Sequence, residues 1–375
     1  MMNAAAKIFN LVLLIAAGAT TASAQNATEI RPGGYLEMSW KQVAAKMPSK
    51  WYSTEEAKLA AENVLLAQKD IGGWAKNKDY HKLSKTEADE LIKQKSEIGA
   101  TFDNGATIRE LKFLALMYSH VKDERYKKAV ARGLDYIFLA QYDNGGWPQF
   151  YPVRPGTPYS GHITYNDDSM VNIMSFLRDV YSDHEGFASL KLPEKLKQKA
   201  KISFNKGIEC ILNTQIIVNG KPTVWCAQHD KETMVPANAR SYELASFSGS
   251  ESVDIALLLM SIERPSDRII KAVDGAVDWF TAHQIEDTRL KETDKNGKED
   301  LVVIHVRNAP PLWARFYDLE TGEPFFCDRD GIKRESLAEI GYERRNGYSW
   351  YTDAPQKLLK KYPVWKAQQS SPKDL

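Results

Sequence analysis

Leu139-Ala140-Gln141-Tyr142-Asp143-Asn144-Gly145-Gly146-Trp147, LAQYDNGGW, repeats a phrase written earlier at residues 66–74, LAQKDIGGW. The two glutamines stand 73 positions apart. Weaker echoes follow downstream. Gly133 precedes Gln141 by eight residues, Gly207 precedes Gln215 by the same interval, and Trp147 and Trp225 lie beyond. Gly275 leads to Gln284 with the spacing off by one. The series Gln68, Gln141, Gln215, Gln284 therefore steps by 73, 74 and 69 residues. A near-constant period longer than any single element marks a repeat architecture.

Each repeat reads as two helices. Ser53-Thr54-Glu55-Glu56 has the form of a capping box opening the first of them. The Gly-Gly after the glutamine stops a helix and turns the chain. Second helices show apolar faces at the 3.6-residue period: Ile108, Leu111, Leu114, Ala115, Tyr118; Met170, Ile173, Met174, Leu177, Tyr181; and Val253, Ala256, Leu257, Met260. Alternating strands are few, residues 301–306 being the best candidate, as part of a hairpin. The expected fold is mainly α. It is an incomplete α/α toroid built from helix-hairpin repeats of about seventy residues, with a few short strands. Such hairpins cannot bury their apolar faces alone, so neighbours must stack. In this frame the tryptophan of the repeated phrase packs, and the glutamine bonds a neighbouring helix end.

The chain opens MMNAAAKIFNLVLLIAAGATTASAQ. One lysine, a short apolar run and Ala22-Ser23-Ala24 form an export signal, too short to span a bilayer. We expect residues 1–24 to be a signal peptide and 25–375 one catalytic domain, secreted or periplasmic. With a net charge of +1, no overall field draws a polyanion, so any attraction must be local. Neither nucleic acid nor membrane is an expected partner, and a monomer is expected. Three cysteines are too few for a disulfide scaffold. Cys226–Cys327 is one conceivable bridge, with free thiols the alternative.

Polar clusters precede the second helices. The first repeat has Thr101-Phe102-Asp103-Asn104-Gly105-Ala106-Thr107. The second has Thr164-Tyr165-Asn166-Asp167-Asp168-Ser169, and the third is taken as Ala237-Asn238-Ala239-Arg240-Ser241-Tyr242-Glu243. After the fourth glutamine come Trp313-Ala314-Arg315-Phe316-Tyr317 and Cys327-Asp328-Arg329-Asp330-Gly331. Equivalent loops of one repeat plan emerge at one end, so these carboxylates and arginines should converge. Taken singly, Asp103-Asn104 and Asn166-Asp167-Asp168 read as helix caps. Together, oxygen ligands without a His/Cys set fit Ca²⁺ or Mg²⁺ better than Zn²⁺. Arginines beside a carboxylate-held cation make an anion site, since the guanidinium fork matches a carboxylate. For an exported protein that points to an acidic polysaccharide. His229 and His305 stand alone and read as core or surface residues.

GGWAKN, TFDNGAT, YNDDSM, WCAQHD, ARSYE, ARFYD, CDRDG and ERRNGYSWY, in order over nearly all of the mature chain, resemble the family 10 pectate lyases. The resemblance implies an α/α-toroidal lyase that cleaves polygalacturonate with Ca²⁺. It implies Arg240 as the Brønsted base and Asp103, Asp167 and Asp168 as metal ligands. Arg315, Arg329, Asn104 and Lys76 would bind substrate. The charged stretch 286–300 departs from the family pattern. The expected chemistry is β-elimination: a base removes the C5 proton α to a carboxylate, and the C4–O4 bond breaks. A guanidinium base is unusual, because its pKa is about 12.5–13.8. Crowding by a cation and further arginines would disfavour its charge. The rival readings are a terpene cyclase-like enzyme on the same toroid, a uronic-acid glycoside hydrolase using two carboxylates, and a non-catalytic acid-sugar binder.

Overall fold

The computed structural model describes residues 33–370 except 185, 295 and 296. The expected signal peptide lies outside these residues. The fold is mainly α. In chain order the helices are α1 (Trp40–Lys46), α2 (Glu55–Ala67), α3 (Lys85–Lys93), α4 (Ile108–Val121), α5 (Glu124–Ala140), α6 (Ser169–Tyr181), α7 (Glu194–Thr214), α8 (Glu251–Met260), α9 (Asp267–Ala282), α10 (Tyr342–Gly347) and α11 (Pro355–Ser370). Among the described residues the longest strands are Thr288–Asp294 and Glu299–His305, paired antiparallel as the expected hairpin. The other strands are two residues long.

The helices stack in two layers. Pairs α4/α5, α6/α7 and α8/α9 form hairpins. α4, α6 and α8 touch in succession, and α2, α5, α7 and α9 do the same behind them. The periodic residues explain this: Tyr126, Ala129, Val130, Leu134 and Ile137 form the buried stripe of α5, and Met170, Ile173, Met174 and Leu177 that of α6. α1 packs on α4 at one end, and α11 covers α8 and α9 at the other.

The repeated phrase follows each outer helix and opens the connection to the next inner one. Gln68 donates to Gly72 O (2.8 Å) and to Ala129 O of α5 (2.9 Å). Gln141 donates to Gly145 O and Ser203 O of α7, both at 2.9 Å, and Gln215 to Thr223 O and Ala272 O of α9, both at 2.8 Å. Each glutamine thus ties its own turn to the next outer helix. The tryptophans form a second set. Trp74, Trp147 and Trp225 are fully buried and donate back to Val64 O, Ile137 O and Ile211 O at 2.7–2.9 Å. Trp313 does the same to Phe280 O (2.8 Å), which makes it the fourth copy. Gly145 has φ 92°, and a Cβ there would meet Lys206 O at 2.0 Å. At Gly72, φ 109°, a Cβ would meet Arg132 O at 2.4 Å. Only glycine permits both the turn and the contact.

Two sequence expectations need correcting. The N-cap of α2 is Thr54, which accepts from Ala57 N; Glu56 takes the Trp51 indole and Gly33 N instead, so no reciprocal box forms. The third repeat's loop is also not 237–243. Trp74 O, Trp147 O and Trp225 O accept from Thr101 N, Thr164 N and Ser248 N, which aligns Phe247-Ser248-Gly249-Ser250-Glu251 with the first two loops. Residues 237–243 belong to an excursion inserted ahead of it.

A smaller core of Tyr242, Phe316, Phe325, Phe326, Cys327, Leu337, Ile340 and Trp350 lies under the non-repetitive C-terminal segments. It anchors ARFYD, CDRDG and ERRNGYSWY. All three cysteines are free and buried. His229 is a core residue, with Nε2 on Cys226 N and Nδ1 on Met234 O. Among the described residues no helix is long and apolar enough to cross a membrane.

Candidate active site

The loops before α4 and α6 touch each other. In each, the chain passes through left-handed residues: Asn104 (φ 53°) in the first, Asp167 (φ 54°) and Asp168 (φ 56°) in the second. Asn and Asp tolerate this region best among residues with a Cβ, and such residues cluster at functional sites. Neither carboxylate caps its helix. α4 starts from Thr107 and α6 from Asp168, and neither makes a side-chain cap. The bland reading of both clusters is therefore set aside by geometry.

Asp103 is buried and paired with the Lys76 ammonium. Asp167 lies close enough to Asp103 for the two to repel. Burial and then the Asp103 charge push its carboxyl up to about 6, while Arg315 pulls the other way. Asp168 is pushed up to about 7 by burial, then by Asp254, Glu251 and Asp167. Asn166 joins the halves: its amide donates to Asp167 (3.0 Å), and its oxygen accepts from Arg315 (3.0 Å). Arg315 is almost buried and forms an ion pair with buried Glu251.

Tyr348 continues the site. The Arg315 guanidinium lies 4.7 Å from its ring centre and that of Arg240 at 5.9 Å. The Tyr348 hydroxyl donates to Glu243 (2.8 Å), and both Glu243 oxygens accept from one guanidinium edge of Arg240, Nε and Nη2. Arg344 sits 4.6 Å from the Tyr242 ring centre, with Arg240 at 4.9 Å and Arg329 at 5.7 Å from the same ring. Glu343 ties Arg329 to Arg344. A continuous path of contacts thus runs from Lys76 and Asp103 to Arg329. All eight residues singled out in sequence lie along it or, for Asn104 and Asp168, beside it.

The Arg240 environment differs from expectation. The Glu243 hydrogen bonds raise its pKa above the usual guanidinium value, against a smaller opposing effect of burial. Its nearest charged neighbour is an anion, so the free protein carries Arg240 protonated. Burial pushes Glu243 upward, but the Arg240 contacts win, and its pKa is lowered.

Sequence reading missed Glu251, Glu243 and Tyr348 as site members. Glu251 occupies the loop position equivalent to Asn104 and Asp167 of the first two repeats. The alternation of Trp225, Ser248 and the α8 face held that signal, but the loop was assigned to the wrong segment. Glu243 and Tyr348 sat inside quoted motifs without a role. Among the described residues no three His, Cys, Asp or Glu side chains are arranged as a ready-made metal-ligand set. The donor chemistry nevertheless suits a hard cation. Asp103, Asp167 and Asp168 offer oxygen alone, and burial with neighbouring carboxylates raises Asp167 and Asp168 despite Arg315.

The sequence matches the family described as pectic acid lyase over residues 68–359. The chain belongs to the pectic acid lyases, polysaccharide lyase family 10. Two solved structures of a family 10 polysaccharide lyase from Cellvibrio cellulosa are similar to it at 32% identity and a TM-score of 0.72. One covers 85% of this chain and 96% of its own. The other, an aspartate-to-alanine mutant in complex with trigalacturonic acid, covers 84% and 97%. No curated protein matches the chain. This family member is a lyase, which excludes the terpene cyclase-like and hydrolytic readings.

Proposed function

We propose that the protein cleaves polygalacturonate by Ca²⁺-assisted β-elimination, with Arg240 as the base. The two helix layers are those of an incomplete α/α toroid, and the site is its mouth. The observation that carries the reading is the path from Asp103 and Asp167 through Arg315 and Tyr348 to Arg240. The trigalacturonic acid bound by the similar lyase supports the substrate class.

Asp103, Asp167 and Asp168 would hold the cation. Bound there, it would offset negative charge building on the C6 carboxylate as the C5 proton leaves. Lys76, now on Asp103, would be released to a substrate carboxylate. Arg315 is fixed by Glu251 and Asn166, so it offers its remaining edge without reorganisation, which favours positioning. Arg329 and Asn104 add donors at the two sides. Arg240 takes the C5 proton, the C–H pair forms the C4=C5 double bond, and the C4–O4 pair leaves with the oxygen.

Arg240 must first lose its own proton, and magnitudes choose the route. Passing it to Glu243 spans about eight to nine pKa units with ordinary values, roughly 11–13 kcal/mol. Losing it to solvent at pH 10 costs about 3–5 kcal/mol with the same values. The second route wins, so activity rises into the alkaline range. Productive binding also has to draw Glu243 from Arg240, and the Tyr348 hydroxyl is placed to keep hold of that carboxylate. The test is turnover of polygalacturonate followed by ultraviolet absorbance of the unsaturated end. Chelation should abolish it and Ca²⁺ restore it better than Zn²⁺. Unchanged activity in chelator rejects the metal.

A further inference from the structure

The acidic cluster has a second neighbour. A cavity of about 610 Å³ opens beside Asp167 and Asp168, with Lys41, Asn77, Asn104, Arg109 and Lys112 in its walls. Arg315 and Arg240 are absent from its lining, so it meets the acidic residues from the side of α1 and α4. Its size suits a sugar-sized ligand.

Its cations differ from those of the arginine path. Arg240, Arg315 and Arg329 are each neutralised by a glutamate. Arg109 has no carboxylate within ion-pair distance among the described residues; its guanidinium donates to Asn104 O at 2.6 Å. Lys41 likewise has no ion pair among the described residues, while Lys112 faces Asp179 at 3.2 Å. An unneutralised guanidinium retains donors and full charge for an incoming carboxylate.

The wall carrying Lys41 is rigidly held. Ser39 and Gln42 close a reciprocal cap on α1. Trp40 N donates to Asp79 (3.1 Å), and the Trp40 indole donates to buried Glu110 at 2.7 Å. Its ring packs edge-on against Phe113, 4.9 Å between centres. Glu110 adjoins Arg109 on α4, so one anchor sets both cations. α1 precedes residues 68–359, the segment matched to the family.

We propose that this cavity is a distal subsite for a further uronate carboxylate of the substrate chain, gripped by Arg109 and Lys41, with the amides of Asn77 and Asn104 on sugar hydroxyls. This rests on the polygalacturonate reading above. The consequence is chain-length preference: an oligomer long enough to cross from the Arg315 side to Arg109 binds tighter than a trimer.

The test is calorimetric binding of trigalacturonate and hexagalacturonate to the Arg240→Ala protein with Ca²⁺, alone and combined with Lys41→Gln or Arg109→Gln. Lys41→Gln leaves the Arg109–Asn104 contact intact, and an unchanged melting temperature checks the fold. A charge-assisted pair predicts about a tenfold or larger hexamer advantage in the parent. It should collapse to within about threefold in each variant, with trimer affinity unchanged. The proposal is overturned if the parent shows no hexamer advantage, if the advantage survives both changes, or if trimer affinity falls equally. Turnover of wild-type protein separates the two readings. Unsaturated product with a persisting advantage removes the subsite alone, and a lost advantage without unsaturated product removes elimination alone.

Discussion

Replacing Asp168 by Asn should make the protein more stable while it loses function. Asp168 has φ 56°, a conformation Asn accepts as readily as Asp, so the backbone adds no strain. The carboxyl is raised from an ordinary 3.8 to about 7 by burial and by Asp254, Glu251 and Asp167. Three units correspond to about 4 kcal/mol against the charged form. The residue is partly exposed, so solvent screening reduces this to about 1–2 kcal/mol. The sign follows from proton binding. Between about pH 4 and pH 7 the folded state binds a proton that the unfolded state has released, so this group's contribution to stability declines as pH rises. Above pH 7 the full penalty is present, and below pH 4 it vanishes. Asp168→Asn removes the penalty. Urea unfolding in chelator should therefore show the variant about 1–2 kcal/mol more stable at pH 8 and equal to wild type near pH 4. Added Ca²⁺ should reverse the order, because a cation at a hundred times its Kd stabilises wild type by about 2.7 kcal/mol and the variant far less. A variant less stable than wild type at pH 8 in chelator would refute the reasoning.

Arg240→Ala and Arg240→Lys should cut turnover by about a thousandfold or more while oligogalacturonate still binds; near-normal turnover would remove Arg240 as base. Glu251→Leu removes the ion-pair partner of the buried Arg315 guanidinium, and should cost about 3–5 kcal/mol in chemical denaturation; a neutral result would show that Arg315 finds another partner. Gln141→Ala strips Ser203 O and Gly145 O of a donor, so equilibrium unfolding should show a loss of about 1–3 kcal/mol without change in the pH profile of turnover.

The α/α layering was legible because the repeated phrase has a physical meaning that survives translation into coordinates. Gln141 bridges two outer helices, Trp147 seals the connection, and Gly145 permits the approach, so each constrains the text of the chain locally. Trp313 escaped notice as a fourth copy because its distance from Gln284 is longer, the Thr288–Asp294/Glu299–His305 hairpin intervening. The acidic loops were legible for the same reason: Asp103-Asn104 and Asn166-Asp167 sit at equivalent steps of the repeat. Glu251 was not, because nothing in local spacing distinguishes Phe247–Glu251 from the inserted segment 237–243. The hydrogen bonds of Ser248 N to Trp225 O and of Trp225 N to Ser252 Oγ set that register. The Glu243 grip on Arg240 was invisible from composition. A count of nearby arginines suggested a depressed guanidinium, whereas one bidentate anion reverses the sign.

The origin of the new sugar end tests elimination most directly. Wild-type protein is incubated with polygalacturonate and Ca²⁺ in heavy-oxygen water, and the products are weighed by mass spectrometry. Elimination adds no water, so the expected products are one saturated end and one C4–C5 unsaturated end, neither carrying the heavy isotope beyond ordinary exchange at the reducing carbon. Products that gain a whole water, with no unsaturated partner, would contradict the account.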